Sequence, residues 1–273
     1  SLVRNRVLRV VAGAAHALVV VDEDRRLLAM GKNNDGQLGV GDRDDRSSPA
    51  PVLRANGGRD VVRFVDALDA GDNHSICATN HGALLTWGAA RKGQLGHADR
   101  KALCAARRVR DGTFAGDQGS GGALRVVAVA AGAYFSLALD DQGHVHACGA
   151  RRSGALGIRA LGSTSETVGL FQRVETLDLA RRRAHNKAAI SAPKCVAIAA
   201  GYGHALALDE AGVVYSWGGT FSGQADALGR GPDPRELPEA VPLPGGPPQG
   251  FFSPPGPGPG PGRSRGPPAP PSL

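Results

Sequence analysis

The chain has 273 residues, 41% of them hydrophobic and 21% charged, with a formal net charge of +7. That length allows one or two domains with a sizeable core. No run reaches the eighteen apolar residues of a membrane span, and no charged-then-apolar signal pattern opens the chain, so no membrane association is expected. Cys77, Cys104, Cys148 and Cys195 show no close pairing and are expected as reduced thiols of an intracellular protein, cytoplasmic or nuclear.

Residues 2–11 read as a strand carrying Arg4, Arg6 and Arg9 on a solvated edge. Residues 10–36 then hold two short apolar runs around a turn. Such runs are too short for helices and are bounded by turn residues. The pattern returns at 68–93, 129–154 and 198–223. Each copy opens on a glycine (Gly13, Gly71, Gly132, Gly201) and closes on another (Gly31, Gly88, Gly149, Gly218). The two are 18 residues apart in the first copy and 17 in the others, and a further glycine follows five positions on. Self-similarity at a long period is the mark of a repeat architecture.

The fourth copy shows the unit most clearly. Ala205 to Leu208 and Val213 to Trp217 flank Asp209-Glu210-Ala211-Gly212. A connection of this kind ending in glycine suits a hairpin whose glycine takes positive φ. Gly143 and Gly82 stand at the same place, whereas the first hairpin has Asp24-Arg25 where a glycine is expected. A strand before the leading glycine, as at 126–131, and a weaker one after the repeat, as at 51–53 or 173–174, complete a four-stranded antiparallel unit. Leu206 and Leu208 point one way and Ala205 and Ala207 the other, so each strand needs cover on both faces. Blades packed around an axis supply it. Leading glycines 58, 61 and 69 residues apart are too far for a rung of a short β-helix, and no helical pattern supports a solenoid.

The segments between repeats read as connectors. Residues 40–66 alternate Asp42, Asp44 and Asp45 with arginines, lacking the spacing of a calcium loop. Residues 112–122 form a Gly- and Ser-rich insertion. Residues 158–197 are the longest connector. From Arg151 to Cys195 there are nine Lys and Arg against three Asp and Glu, a local +6. Residues 170–185 are predicted as a short helix that packs Val174, Leu177 and Leu179. Its end, Arg181-Arg182-Arg183, with Lys187 beyond, is the candidate partner-binding surface, for an acidic protein or for nucleic acid. From residue 232 to 273 Pro and Gly dominate, and a disordered tail of polyproline II character is expected. Arg265, Pro268 and Pro271 fit a Src-homology-3 ligand pattern there, which composition alone produces.

Chemistry-bearing residues fall into the repeat. His16, His74 and His204 share one position, filled by Phe135 in the third copy, and read as buried hydrogen-bonding groups tying loop to strand. Trp87 and Trp217 share another, where Met30 and Cys148 stand in the remaining copies. His144, His146 and Cys148 alternate on one strand, but they align with packing positions, and same-face neighbours lie about 7 Å apart, too wide for one ion. No glycine is followed by Gly-Lys-Ser/Thr, and no Gly-x-Ser-x-Gly turn occurs. No cofactor, metal or catalytic residue is expected, and the chain reads as non-enzymatic.

Ala-Ala-Gly-x-x-His, then Leu-Asp-x-x-Gly-x-Val-Tyr-x-Trp-Gly, then Gly-Gln-Leu-Gly resembles the regulator-of-chromosome-condensation repeat. The last element is Gly36-Gln37-Leu38-Gly39, Gly93-Gln94-Leu95-Gly96 and Gly154-Ala155-Leu156-Gly157, and in the fourth copy an insertion separates Gln224 from Leu228-Gly229. The resemblance spans repeat cores 10–39, 68–96, 129–157 and 198–229 within a propeller at 1–231. It implies an all-β propeller with seven blades when complete. Four repeats and a first residue Ser1 lead to the expectation of a partial ring or fragment. It further implies a protein-interaction module, with exchange on a small GTPase and chromatin binding as the best-known activity. The alternative is the regulatory propeller of a larger enzyme, such as a HECT-type ubiquitin ligase or a kinase.

Overall fold

The computed structural model describes residues 6–22, 24–55, 60–110, 114, 124–151, 154–158, 165–184, 194–219, 228–229 and 238–241. Lys187, most of the 112–122 insertion and residues 242–273 lie outside them. The described residues form four antiparallel meanders of four strands each. The first is β1 (Val7–Ala12), β2 (His16–Val21), β3 (Arg26–Gly31) and β4 (Arg46–Pro51). The second is β5 (Val65–Ala70), β6 (His74–Thr79), β7 (Leu84–Gly88) and β8 (Leu103–Arg108). The third is β9 (Val126–Ala131), β10 (Phe135–Asp140), β11 (Val145–Ala150) and β12 (Thr167–Arg173). The fourth is β13 (Cys195–Ala200), β14 (His204–Asp209), β15 (Val214–Gly218) and β16 (Glu239–Ala240).

The register is the same in every blade. The first residue of the second strand faces the closing glycine: His16 pairs Gly31, His74 pairs Gly88, Phe135 pairs Gly149 and His204 pairs Gly218. Each first strand also carries a bulge near its start or middle, where the extra residue increases twist.

Three apolar clusters fill the three spaces between successive blades. Leu18, Val20, Leu27 and Leu38 meet Leu68, Cys77, Leu85 and Trp87 between the first and second. Ile76, Ala78 and Leu84 meet Val129, Ala131, Ala138, Cys148 and Phe171 between the second and third. Leu137, Leu139, Val145 and Ala147 meet Ala205, Ala207, Tyr215 and Trp217 between the third and fourth. Alternation along β6 does this directly, since Cys77 looks back to the first blade while Ile76 and Ala78 look forward to the third. The arc does not close. β1 exposes Val7, Leu8 and Val10, and on β14 Leu206 and Leu208 are only half-buried.

The blades meet at the axis through the leading glycines. A Cβ on Gly71 would lie 2.3 Å from the Gly132 carbonyl oxygen and 2.4 Å from the His74 ring, so only glycine lets the strands converge there. At the hairpins Gly143 and Gly212 have φ of 81° and 83°. In the first hairpin Arg25 itself takes the left-handed conformation at φ 49°, closing on the Asp22 carbonyl at 3.1 Å. Gly212→Val is expected to cost about 1 kcal/mol through that backbone strain alone. Gly143→Val should cost more, because its Cβ would also sit 2.5 Å from the Lys194 Cβ. Thermal melts of both variants check this, and unchanged midpoints would remove the hairpin assignment.

Three expectations shift. The outer strands sit earlier than 51–53 and 173–174, as β4 and β12, so the connector at 40–66 contains β4, and β8 precedes the 112–122 insertion. Pro49 and Pro51 fit β4 because it is the blade's edge, where an N–H is not needed. The predicted helix is α1 (Glu175–Ala184), and residues 170–173 belong to β12 instead. Val174 and Leu177 are buried as packing residues of the third cluster, while the Leu179 side chain lies outside the described residues. The first compact unit runs Ser1–Val241, past residue 231, because β16 pairs Glu239 and Ala240 with Ser216 and Tyr215.

Candidate interaction surfaces

The repeated histidines join blades rather than tie a loop to its own strand. His16 Nε2 lies 3.0 Å from Ser75 Oγ, and His74 Nε2 2.9 Å from Ser136 Oγ, each serine on the next blade. Ser75 Oγ donates to the Gln37 carbonyl and Ser136 Oγ to the Gln94 carbonyl, both at 2.8 Å. Each serine therefore accepts from the histidine, which fixes the proton on Nε2. Trp87 Nε1 donates to the same Gln37 carbonyl at 2.8 Å. The GQLG turn of one blade thus receives the hydroxyl and indole of the next.

The third interface replaces the His–Ser pair but keeps the tryptophan. Phe135 takes the histidine position and Ala205 the serine position, so no His–Ser pair forms there. Trp217 Nε1 still donates to the Ala155 carbonyl, at 3.0 Å. At the second interface Cys148 stands in the tryptophan position, with Sγ 3.5 Å from the Gln94 carbonyl. Phe171 fills the freed space: a Cβ on Gly96 would meet its ring at 2.4 Å, as one on Gly39 would meet the Trp87 ring at 2.7 Å. His204, on the last described blade, has no blade beyond it and is half-buried.

Burial holds His16 down at about 4 and, with repulsion from His16 added, His74 at about 3. Both are neutral at physiological pH, which suits a donor to serine and excludes a cationic role.

His144, His146 and Cys148 do not converge on one point. His146 Nε2 pairs with Asp140 Oδ2 at 2.8 Å, and His144 Nδ1 lies 3.4 Å from the same oxygen. Burial alone would raise the Asp140 carboxyl, but the hydrogen bonds from His146 and the His144 N–H outweigh it and lower it. In the fourth blade Tyr215 Oη donates to Asp209 Oδ2 at 2.9 Å, so His146 substitutes for a tyrosine in a hairpin-locking bond. Among the described residues no group of three or more His, Cys, Asp or Glu is placed to hold a metal. The Asp42–Asp45 segment is organised around buried Asn33, whose Nδ2 donates to the Asp42 and Asp44 carbonyls at 3.0 and 3.1 Å.

Two surfaces near the predicted contact and the axis are candidates for partners. The axis mouth is an open cavity of about 260 Å³ lined by the Ala-Gly ends of all four first strands, with Asp72 and Tyr202 at its rim. It offers little chemistry. The helix α1 begins with Glu175 and Asp178 and ends with Arg181, Arg182 and Arg183, which complements its dipole at both ends. The backbone puts the three arginines on the last turn; their side chains and Lys187 lie outside the described residues. Among the described residues no helix is long and apolar enough to cross a membrane.

The family model described as the regulator of chromosome condensation (RCC1) repeat matches residues 24–78 and 81–139, and a second model of the same description matches 126–154 and 195–224. Protein RCC2 homolog of Danio rerio is 31% identical over 215 residues, which is 75% of this chain and 40% of that protein. Probable E3 ubiquitin-protein ligase HERC6 of Homo sapiens is 26% identical over 227 residues, 82% of this chain and 19% of that protein. The chain therefore spans less than half the length of either relative. Prp20p of Saccharomyces cerevisiae, whose crystal structure was described with its binding properties to Gsp1p and histones, superposes with a TM-score of 0.64 at 23% identity, over 89% of this chain and 52% of that one. Four glycine-framed meanders and the matched repeat models place this chain in the regulator of chromosome condensation repeat family.

Proposed function

We propose that the chain is a non-catalytic, protein-binding propeller acting inside the cell. One observation carries this reading: the chemistry-bearing side chains of the repeat are already committed to one another. His16, His74, Ser75, Ser136, Trp87 and Trp217 bond across blades, and His146 and Tyr215 bond Asp140 and Asp209. The whole set is buried, the unpartnered Nδ1 atoms of His16, His74 and His146 included, so function falls to the surface presented by the blades. Long loops on a rigid scaffold commonly carry binding. By kinship the partners are a small GTPase, on which the chain would promote nucleotide exchange, or chromatin. The second reading, favoured by the HERC6 similarity, is a regulatory propeller within a larger ligase.

The partner contact assigned here centres on Arg181, Arg182, Arg183 and Lys187. If DNA is bound there, neutralising three phosphates gives a log–log salt slope of about −2.7. Changing the three arginines to alanine should flatten it while leaving the thermal melt unchanged. Affinity capture with the full chain, followed by a nucleotide-exchange assay on any GTPase recovered, tests the wider reading. A chain that captures neither GTPase, nor histone, nor any ligase subunit would overturn it.

A further inference from the structure

A second basic surface lies on a different part of the molecule. A groove of about 590 Å³ runs over the outer edge of the second blade, lined by Arg54, His97, Arg107, Arg108, Arg110 and Leu170, with Leu85 and Ala106 at its floor. It forms because the chain leaving the first blade pairs onto β8. Arg54 bridges Ala106, and the Ala55 N–H donates to the Ala106 carbonyl at 2.9 Å. That pairing brings Arg54 beside three arginines of the β8 end. Leu170 on β12 of the third blade forms the far wall.

Cations dominate its lining. Four arginines and a histidine line the groove and, among the described residues, no carboxylate does. Two acidic residues stand close by: Asp99 pairs with Arg107 at 2.8 Å and is lowered chiefly by that hydrogen bond, and the Asp60 carbonyl accepts from the Arg54 N–H at 2.8 Å. Arg110 is exposed and forms no ion pair with a described residue. All four cations are arginines, whose planar forks bind carboxylate and phosphate bidentately, where lysine offers only a point charge. His97 is held in place by Thr86, whose Oγ1 donates to the Leu95 carbonyl at 2.7 Å and lies 3.0 Å from His97 Nε2.

We infer that this groove binds an acidic peptide segment of a partner protein, one whose clustered carboxylates flank one apolar anchor. The inference rests on the protein-binding reading above. The shape favours a peptide over a nucleic acid. The cations line a recess rather than an open face, and Leu170, 42% exposed at its wall, offers a seat for an aliphatic side chain. A duplex needs a broader run of cations that track its phosphates across an open face.

The test is fluorescence anisotropy on the full chain with four labelled probes: a Glu-rich peptide with a central leucine, the same peptide with phosphoserine replacing one Glu, its all-Gln counterpart, and a DNA duplex. Wild type should bind the first two, ignore the third, and lose affinity as salt rises, since the attraction is partly screened. Binding of the phosphoserine peptide alone would overturn the carboxylate assignment. Arg107→Gln/Arg110→Gln should weaken acidic-peptide binding at least tenfold. If that pair fails to fold, Arg110→Glu alone serves, because Arg110 is exposed, with the same weakening expected. Equal binding by the variant, no binding of either acidic peptide, or duplex binding stronger than peptide binding would overturn the inference. Peptide binding lost in Arg181→Gln/Arg182→Gln/Arg183→Gln but kept in the groove variant would also overturn it, while supporting the helix contact of the protein-binding reading.

Discussion

Replacing Trp87 with alanine is expected to lower stability by about 3–5 kcal/mol, the range for truncating a fully buried large aromatic. Trp87 is completely buried in the first inter-blade cluster, and its Nε1 donates to the Gln37 carbonyl that Ser75 also uses. Truncation therefore removes packing from two blades and one of two bonds to that carbonyl. The second interface shows what makes a small residue tolerable. Cys148 occupies the tryptophan position there because Phe171 fills the space. Among the described residues of that cluster no other aromatic stands beside Trp87, so the cavity persists. Trp217 should behave likewise, with its Nε1 on the Ala155 carbonyl. Urea unfolding measures the loss. Acrylamide quenching measures the burial: both indoles should be shielded until the chain unfolds, and free quenching in the folded state would contradict the assigned interfaces.

Acid should unfold the chain through His16 and His74. Their folded values, about 4 and about 3, lie below the 6.5 of an unperturbed imidazole. Below pH 6.5 the unfolded chain therefore binds protons that the folded chain refuses. Stability contributed by the neutral rings is fully present above pH 6.5 and falls as pH drops toward 4. The slope is about 1.4 kcal/mol per pH unit for each histidine, or about 2.7 for both. A domain with a few kcal/mol in hand does not survive two such units. The third interface supplies the control. His74→Phe/Ser136→Ala copies Phe135 and Ala205, and the slot is suited to the ring because Gly132 lies under Phe135 as Gly71 lies under His74. The double variant should lose about half the slope between pH 6.5 and 5. Urea midpoints across that range decide it: a wild-type midpoint that does not move would mean the histidines are not buried neutral, and an undiminished slope in the variant would assign the protons elsewhere.

Legibility followed locality. The hairpins were readable because a turn glycine and two flanking runs lie within about a dozen residues, and Gly143 and Gly212 take the positive φ that their turns require. The outer strands were less so. β4 is mostly exposed, with Arg46, Ser47, Ser48 and two prolines, and nothing in its pattern separates it from a loop. Its pairing to β3 comes from the blade's geometry. The helix start was misplaced for a related reason: the apolar residues at 168–174 serve a strand and the helix that follows it, and period alone does not divide them.

The sequence by itself determined the unit, its fourfold repetition and its family. These depend on glycines in register and on alternation along short strands, which are properties of neighbouring residues. Only the tertiary structure decided what the repeated polar residues do. His16 and Ser75 are 59 residues apart, and His74 and Ser136 are 62. Their bonds exist because blades stack with the second-strand start of one against the same point of the next. A serine or alanine following each histidine position carries no meaning until its partner across the interface is known. The arginine groove was likewise beyond the sequence, since Arg54 and Arg107 through Arg110 lie on different repeats and meet only where the first blade's exit pairs onto β8. Local rules fix a blade; the apposition of blades fixes which side chains are consumed inside and which are left to bind.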